Sequence, residues 1–247
     1  MVAPALLEIA ANSAASALAA QAGGADRIEL CTALEVGGLT PTHAQIAMAR
    51  ERVDLPIYVL IRPRAGDFVY SDLEFETMER DIRNCAALGC DGVVIGALDA
   101  EGHVDVPRCR TLIAAAGTLG VTFHRAFDVS RDPRRALEDI VALRCERVLS
   151  SGARDSALAG AALLRELVVQ AGGRITVMPG ASIDDTNIAT IRTLTGAREF
   201  HASAKRQMPS RRNQDSRSGL GMDGGEWRTD ASQVRALIAA LQSRDAL

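Results

Sequence analysis

Aromatic side chains make up 3% of the 247 residues, with one Trp, two Tyr and five Phe. A recognition surface built on tyrosine is not expected, and a chain that is 47% hydrophobic must fill its core with Ala, Leu, Val and Ile, as parallel sheets do. Lysine is scarcer still. Lys205 is the only one, and no expected strand carries it, so imine chemistry of the barrel-aldolase kind lacks its nucleophile. The five cysteines, Cys31, Cys85, Cys90, Cys109 and Cys145, are odd in number and include no CxxC pair, which reads as reduced thiols in the cytosol. No apolar run approaches membrane-spanning length, and the opening Met-Val-Ala-Pro-Ala-Leu-Leu-Glu lacks a charged n-region. Neither secretion nor membrane insertion is expected, and a cytoplasmic location is. A net charge of −3 argues against nucleic acid as a partner. Ala11-Asn12-Ser13 follows the first strand in place of a Gly-rich turn, so no nucleotide cofactor is indicated. No HxH or DxD pair stands at a strand end, which leaves a hard-metal site unsupported.

What is present is a repeat. Short apolar runs alternate with longer stretches of helical period, giving eight strand-helix pairs. The expected strands are Leu6–Ala10, Arg27–Leu30, Pro56–Ile61, Gly92–Ile95, Val121–His124, Arg147–Leu149, Ile175–Met178 and Glu199–Ala202. Helices begin at acceptors for orphan amides: Asn12 or Ser13, Thr40 before Pro41, Ser71 or Asp72, Asp105, Asp132, and Asp184 or Asp185. Eight such units with polar strand ends predict one (β/α)8 barrel over residues 1–247, with its reactive face at the C-terminal strand ends. A doubly wound sheet is the competing architecture. The segment 203–227 is too long for an ordinary βα connection. Its glycines (Gly219, Gly221, Gly224, Gly225) and arginines (Arg206, Arg211, Arg212, Arg217) suggest either a charged cover over the mouth or a disordered insertion.

Strand parity selects the chemistry. Glu8 lies between Leu7 and Ile9, and Glu29 between Ile28 and Leu30, so both carboxylates are expected to face the lumen from equivalent places. An ionised carboxylate there needs partners, and Arg62 and Arg64, of shared parity in Ile61-Arg62-Pro63-Arg64, are the candidates. His124 and His201 end their strands, a placement suited to proton transfer. The catalytic candidates are therefore Glu8, Glu29, Arg62, His124 and His201; a structural ion network is the other reading of the same set. Arg64, Arg125, Asp128, Ser151, Gly152, Gly180 and Ser203 are candidates for holding a substrate, Gly180 and Ser203 because loops after strands seven and eight often bind phosphate in barrels, with Ser151-Gly152 after strand six adding donors.

Leu7-Glu8-Ile9, Asp26-Arg27-Ile28-Glu29-Leu30-Cys31, Gly37-Gly38-Leu39-Thr40-Pro41, Ile61-Arg62-Pro63-Arg64, Phe123-His124-Arg125-Ala126-Phe127-Asp128, Met178-Pro179-Gly180 and Glu199-Phe200-His201 together resemble the CutC copper-homeostasis family along nearly the whole chain. The resemblance implies a cytoplasmic (β/α)8 barrel, commonly self-associated and linked to copper handling. Family members often carry a cysteine two positions after each of the first two strand glutamates, a pair of soft thiolates for Cu(I). This chain has Ala10 at the first position and Cys31 at the second, which leaves Cys31 as the sole metal-ligand candidate from that pattern. Ser182 and Ala153 stand where the family often has glycine. Two functions follow as expectations: a Cu(I)-binding homeostasis protein that forms homo-oligomers, or a metal-independent acid–base enzyme acting on a small polar or anionic substrate.

Overall fold

The computed structural model describes residues 5–209 and 225–243. Its strands are β1 (Leu6–Ala11), β2 (Arg27–Leu30), β3 (Ile57–Leu60), β4 (Gly92–Ile95), β5 (Gly120–Phe123), β6 (Arg147–Ser150), β7 (Thr176–Pro179) and β8 (Glu199–Ala202). Helices α1 (Ala14–Gly23), α2 (His43–Arg50), α3 (Asp72–Ala87), α4 (Val106–Ala116), α5 (Pro133–Ala142), α6 (Ala161–Ala171), α7 (Ile188–Thr195) and α8 (Ala231–Gln242) follow them in turn. The sheet runs β7-β6-β5-β4-β3-β2-β1-β8, all parallel. The chain thus folds as a nearly closed (β/α)8 barrel, in which β7 and β8 meet without a ladder between them. No described helix is long and apolar enough to cross a membrane.

Caps fix where the helices start. Ser13, Ser71, Asp105, Asp132 and Asp230 each accept from backbone amides of the first turn, removing orphan donors that would cost up to about 2 kcal/mol each. Two expectations shift. Thr42 caps α2 in a capping box with Gln45, so Pro41 precedes the helix, and α7 starts after Asn187 because Asp184 instead closes a turn on Thr186.

Period-two alternation divides the apolar residues between two cores. Outward positions such as Leu7, Ile9, Ile28, Leu30, Ile57, Val59, Phe123 and Phe200 join the helices in one continuous cluster, while inward Cys31, Tyr58, Leu60 and Val94 form a small separate one. Burying each large side chain of the outer core contributes roughly 1.5–3 kcal/mol. The inner core is small because the rest of the lumen is charged.

The long segment after β8 begins and ends in order. Lys205–Gln207 (β9) pairs antiparallel with Trp227–Thr229 (β10), where a loop is expected from the sequence. Asn12 donates to the Trp227 carbonyl at 2.7 Å, Arg206 pairs with Asp230 at 2.9 Å, and the Thr229 amide donates to Ser16. These contacts tie the ribbon to the first βα loop. Arg211, Arg212, Arg217, Gly219, Gly221 and Gly224 lie outside the described residues.

Candidate active site at the mouth of the barrel

The register corrects the equivalence of the two glutamates. Glu8 is level with Arg27 on one side and His201 on the other, whereas Glu29 is level with Ala10, one inward position nearer the mouth. Parity is therefore shared but depth is not, because the strands of a barrel are staggered. The partners differ as well. Arg27 Nε meets Glu8 Oε2 at 2.5 Å, and His201 Nδ1 meets Glu8 Oε1 at 2.8 Å. Burial alone would raise the Glu8 pKa, but the His201 hydrogen bond and the Arg27 charge outweigh it and bring it down to about 2.

Glu29 is treated differently. It is 6% exposed, makes no hydrogen bond among those of the described residues, and has His201 Nε2 at 3.7 Å as its nearest ionic neighbour. Burial pushes its carboxyl up to about 7, against the pull of the His201 charge. Burial disfavours a charged His201, but Glu29 and Glu8 on either side more than compensate and raise its pKa. The imidazole thus bridges one carboxylate held well below its ordinary pKa and one raised toward neutrality.

Arg62 and Arg64 pair with neither glutamate. Arg62 is buried with its guanidinium donating to the carbonyls of Val36, Gly38 and Gly66 and stacked 5.0 Å over Phe68. The Gly37-Gly38 and Ile61-Arg62-Pro63 motifs are therefore one structural unit. Arg64 turns outward to Glu74 and Asp67. His124 packs 5.0 Å from Phe68, in space that exists because residue 96 is glycine: a Cβ there would lie 2.5 Å from the ring. Its Nδ1 accepts from the Ala126 amide and its Nε2 has no partner. Burial, then the Arg62 charge, lowers its pKa to about 3, so the ring is neutral with the proton on Nε2.

A cavity of about 310 Å³ opens over these groups. Glu29, Arg62, His124 and His201 line it, as do Arg125, Ser203 and Cys31, while Leu34, Leu60, Phe68, Leu149 and Ile183 form an apolar wall. Lys205, absent from the sequence-based site, reaches the rim from β9 and stacks 5.2 Å over Trp227. Arg64, Asp128, Ser151, Gly152 and Gly180 are not in the wall. Asp128 accepts from Ser150, Ser151 and Arg125 and so braces the loops after β5 and β6. Gly152 packs on Gly160, and a Cβ on Gly180 would meet Leu149 at 2.5 Å. Cys31 is buried, and its thiol is pushed well above its ordinary value by burial and then by Glu29.

Below the cavity, Glu199 bridges Arg27 (2.6 Å) and Arg147 (2.8 Å), and both guanidiniums stack over Tyr58 at 5.4 and 5.0 Å. A Cβ on Gly92 or Gly120, level with Tyr58 on the next two strands, would lie 2.2 Å from its ring or hydroxyl. These charged residues escape the sequence reading because it attends to strand ends. The parity that selects Glu8, Glu29 and His201 also selects Arg27 and Glu199.

The family model described as the CutC family matches residues 5–206. The chain belongs to the CutC family. A CutC family protein of Xanthomonas campestris pv. campestris is 55% identical over 237 residues, covering 96% of this chain and 99% of the relative. The human copper homeostasis protein cutC homolog is 46% identical over 240 residues, covering 95% of this chain and 88% of that relative. A crystal structure of CutC from Streptococcus agalactiae superimposes with a TM-score of 0.76 at 33% identity, covering 80% of this chain and 97% of that one. Phosphoribosylanthranilate isomerase of Thermotoga maritima, at 11% identity and a TM-score of 0.58 over 96% of this chain and 98% of its own, shares the barrel alone. Against the CutC pattern, two departures have a visible backbone consequence. Ala153 and Ser182 have φ of 55° and 53°, the left-handed region that glycine enters without penalty. A third departure, Ala10, is level with Glu29 and not with Cys31, so a cysteine there would stand one inward position below the Cys31 thiol.

Proposed function

We propose that this CutC-family barrel is an acid–base enzyme acting on a small polar or anionic molecule, with Glu29 and His201 as the groups that exchange protons. The observation that carries the reading is the Glu29 carboxyl: buried, unbonded, at the wall of the cavity and brought near neutrality by burial. A general base works best with a pKa near the operating pH. Glu8, itself held by Arg27, fixes the imidazole from behind, and Arg62, Arg125 and Lys205 give the cavity a cationic lining that favours an anionic group. Neutral His124 offers Nε2–H as a donor. A metabolite mixture incubated with the protein tests this. Depletion of a compound by the wild type and not by Glu29→Gln supports it; equal depletion by both overturns it.

The names of the relatives put copper forward. The residues of this chain give it less support, because a Cu(I) site wants paired thiolates and Cys31 is a single, protonated thiol. Competition against a strong Cu(I) chelator distinguishes the two readings. One copper per chain held tightly, and lost in Cys31→Ala, would favour the copper role. A cytoplasmic location remains part of the proposal, supported by five buried free cysteines, as does self-association, which light scattering of the purified chain tests.

A further inference from the structure

We infer that the gap between Glu29 and His201 is a binding site for a borderline first-row divalent cation, with His201 Nε2 and Glu29 as inner ligands, Glu8 behind them and water on the cavity side. The inference rests on the pair of side chains to which the proposed proton exchange is assigned, and it deepens that reading.

Glu8, Glu29 and His201 come from three strands that are distant in sequence and adjacent in the barrel, and their donor atoms lie within 4.8 Å of one another. Proximity alone would not make a site; the disposition of the donors is what points to a ligand. His201 Nδ1 is committed to Glu8 Oε1 at 2.8 Å, which directs the other ring nitrogen to Glu29. A histidine fixed by a carboxylate through one nitrogen and free at the other is the arrangement by which proteins orient a metal-binding imidazole. The free nitrogen stands 3.7 Å from Glu29 Oε2. That is too long for a hydrogen bond and close to the roughly 3–3.5 Å that separates two donors bonded to one ion at about 2.0–2.2 Å. Glu29 itself is more than nine-tenths buried, has no hydrogen-bond partner among the described residues, and turns into the cavity, where an incoming group could complete it.

The donor set selects the class. One imidazole nitrogen and carboxylate oxygens suit Zn²⁺, Co²⁺, Mn²⁺ or Fe²⁺; Ca²⁺ wants an all-oxygen cage and Cu(I) wants sulfur. Arg27 neutralises Glu8 from the side away from the gap, so the ion would meet one uncompensated carboxylate. Because Glu29 faces the cavity, the remaining coordination positions open toward a substrate, as in catalytic sites. With the ion bound, Glu29 and His201 would act on the proton through a water that the ion holds, and without it they would act directly.

Co²⁺ is the probe. The full chain, stripped with chelator, is titrated with CoCl2 and followed by visible absorption and by metal content after desalting. The expected result is one Co²⁺ per chain, no detectable binding in Glu29→Gln or His201→Asn protein that remains folded, binding about 10–100-fold weaker in Glu8→Gln, and unchanged binding in Cys31→Ala. Should His201→Asn fail to fold, Glu29→Gln, which removes no volume, still decides. Absence of saturable binding, equal binding by Glu29→Gln, or loss in Cys31→Ala with a sulfur charge-transfer band would overturn the site. Turnover that survives chelator would remove the ion from catalysis while leaving proton exchange intact. Stoichiometric binding without any turnover would leave the ion site standing and remove the enzymatic reading.

Discussion

Toward the N-terminal end of the lumen, Arg27, Arg147, Glu199, Glu146 and Tyr58 form a network in which each charge meets an opposite one within 2.8 Å. One layer higher, among the described residues, Glu29 has no hydrogen bond, His124 Nε2 has no partner, and Cys31 is a lone thiol. The residue types are similar. The difference is completeness. A satisfied buried network holds strands in register, whereas a buried group left open has been kept for something that arrives from outside. Glu8 belongs to both layers, accepting from Arg27 below and from His201 above.

The comparison can be broken by cutting the lower layer. Arg27→Met leaves Glu8 and Glu199 short of a counter-charge and is expected to cost about 3–5 kcal/mol, the usual penalty for stranding a buried charge, read as a lower urea midpoint at unchanged slope. The upper layer should behave in the opposite way. Glu29 has a pKa of about 7 in the fold against 4.5 unfolded. Between those values the native state holds a proton that the unfolded chain has lost, so its contribution is present below pH 4.5 and disappears as pH rises through 7. Glu29→Gln should flatten that loss and become more stable than wild type by roughly 3 kcal/mol above pH 7, at the full shift. A Glu29→Gln protein that is less stable at pH 8 would mean the carboxylate is a structural partner after all.

His124 tests the same layer from the acid side. Its pKa is about 3 in the fold against 6.5 unfolded, so the unfolded chain gains a proton the native one refuses. Stability should fall as pH drops from 6.5 toward 3, by about 2 kcal/mol at pH 5, and His124→Gln should remove that slope. Melting curves at pH 7 and pH 5 on both proteins measure it. The smallest effect is expected at the rim, where Ser182→Gly relieves a left-handed backbone but loosens the unfolded chain. A net gain of well under about 1 kcal/mol is expected.

How much of this was legible in the sequence follows from what alternation can carry. Period two assigns Glu8, Glu29 and His201 to the lumen, and Ser13, Ser71, Asp105 and Asp132 start their helices where the sequence places caps, because those signals are local. Depth is not local. That Glu8 is level with His201 and not with Glu29 depends on the stagger of the closed sheet, and the meeting of β8 with β1 joins residues 193 apart. Linear motifs such as HxH search one strand, so they pass over donors contributed by three. The fate of Arg62 was hidden for another reason: its partners are backbone carbonyls, which no side-chain pattern announces. The β9–β10 ribbon escaped notice because Lys205, Arg206 and Gln207 are all exposed and show no alternation of burial.

The missing ladder between β7 and β8 has a consequence for the order of the gene. A chain permuted to begin at β8, with its old ends joined, would run β8, β1, β2 and onward to β7, and every strand would then be laid down beside the one made before it. No inter-strand hydrogen bond would span the new break. In the natural order β8 is the last strand of the sheet in the chain, and its ladder with β1 brings His201 to Glu8. The His201–Glu8 contact thus depends on pairing the last strand of the barrel with the first.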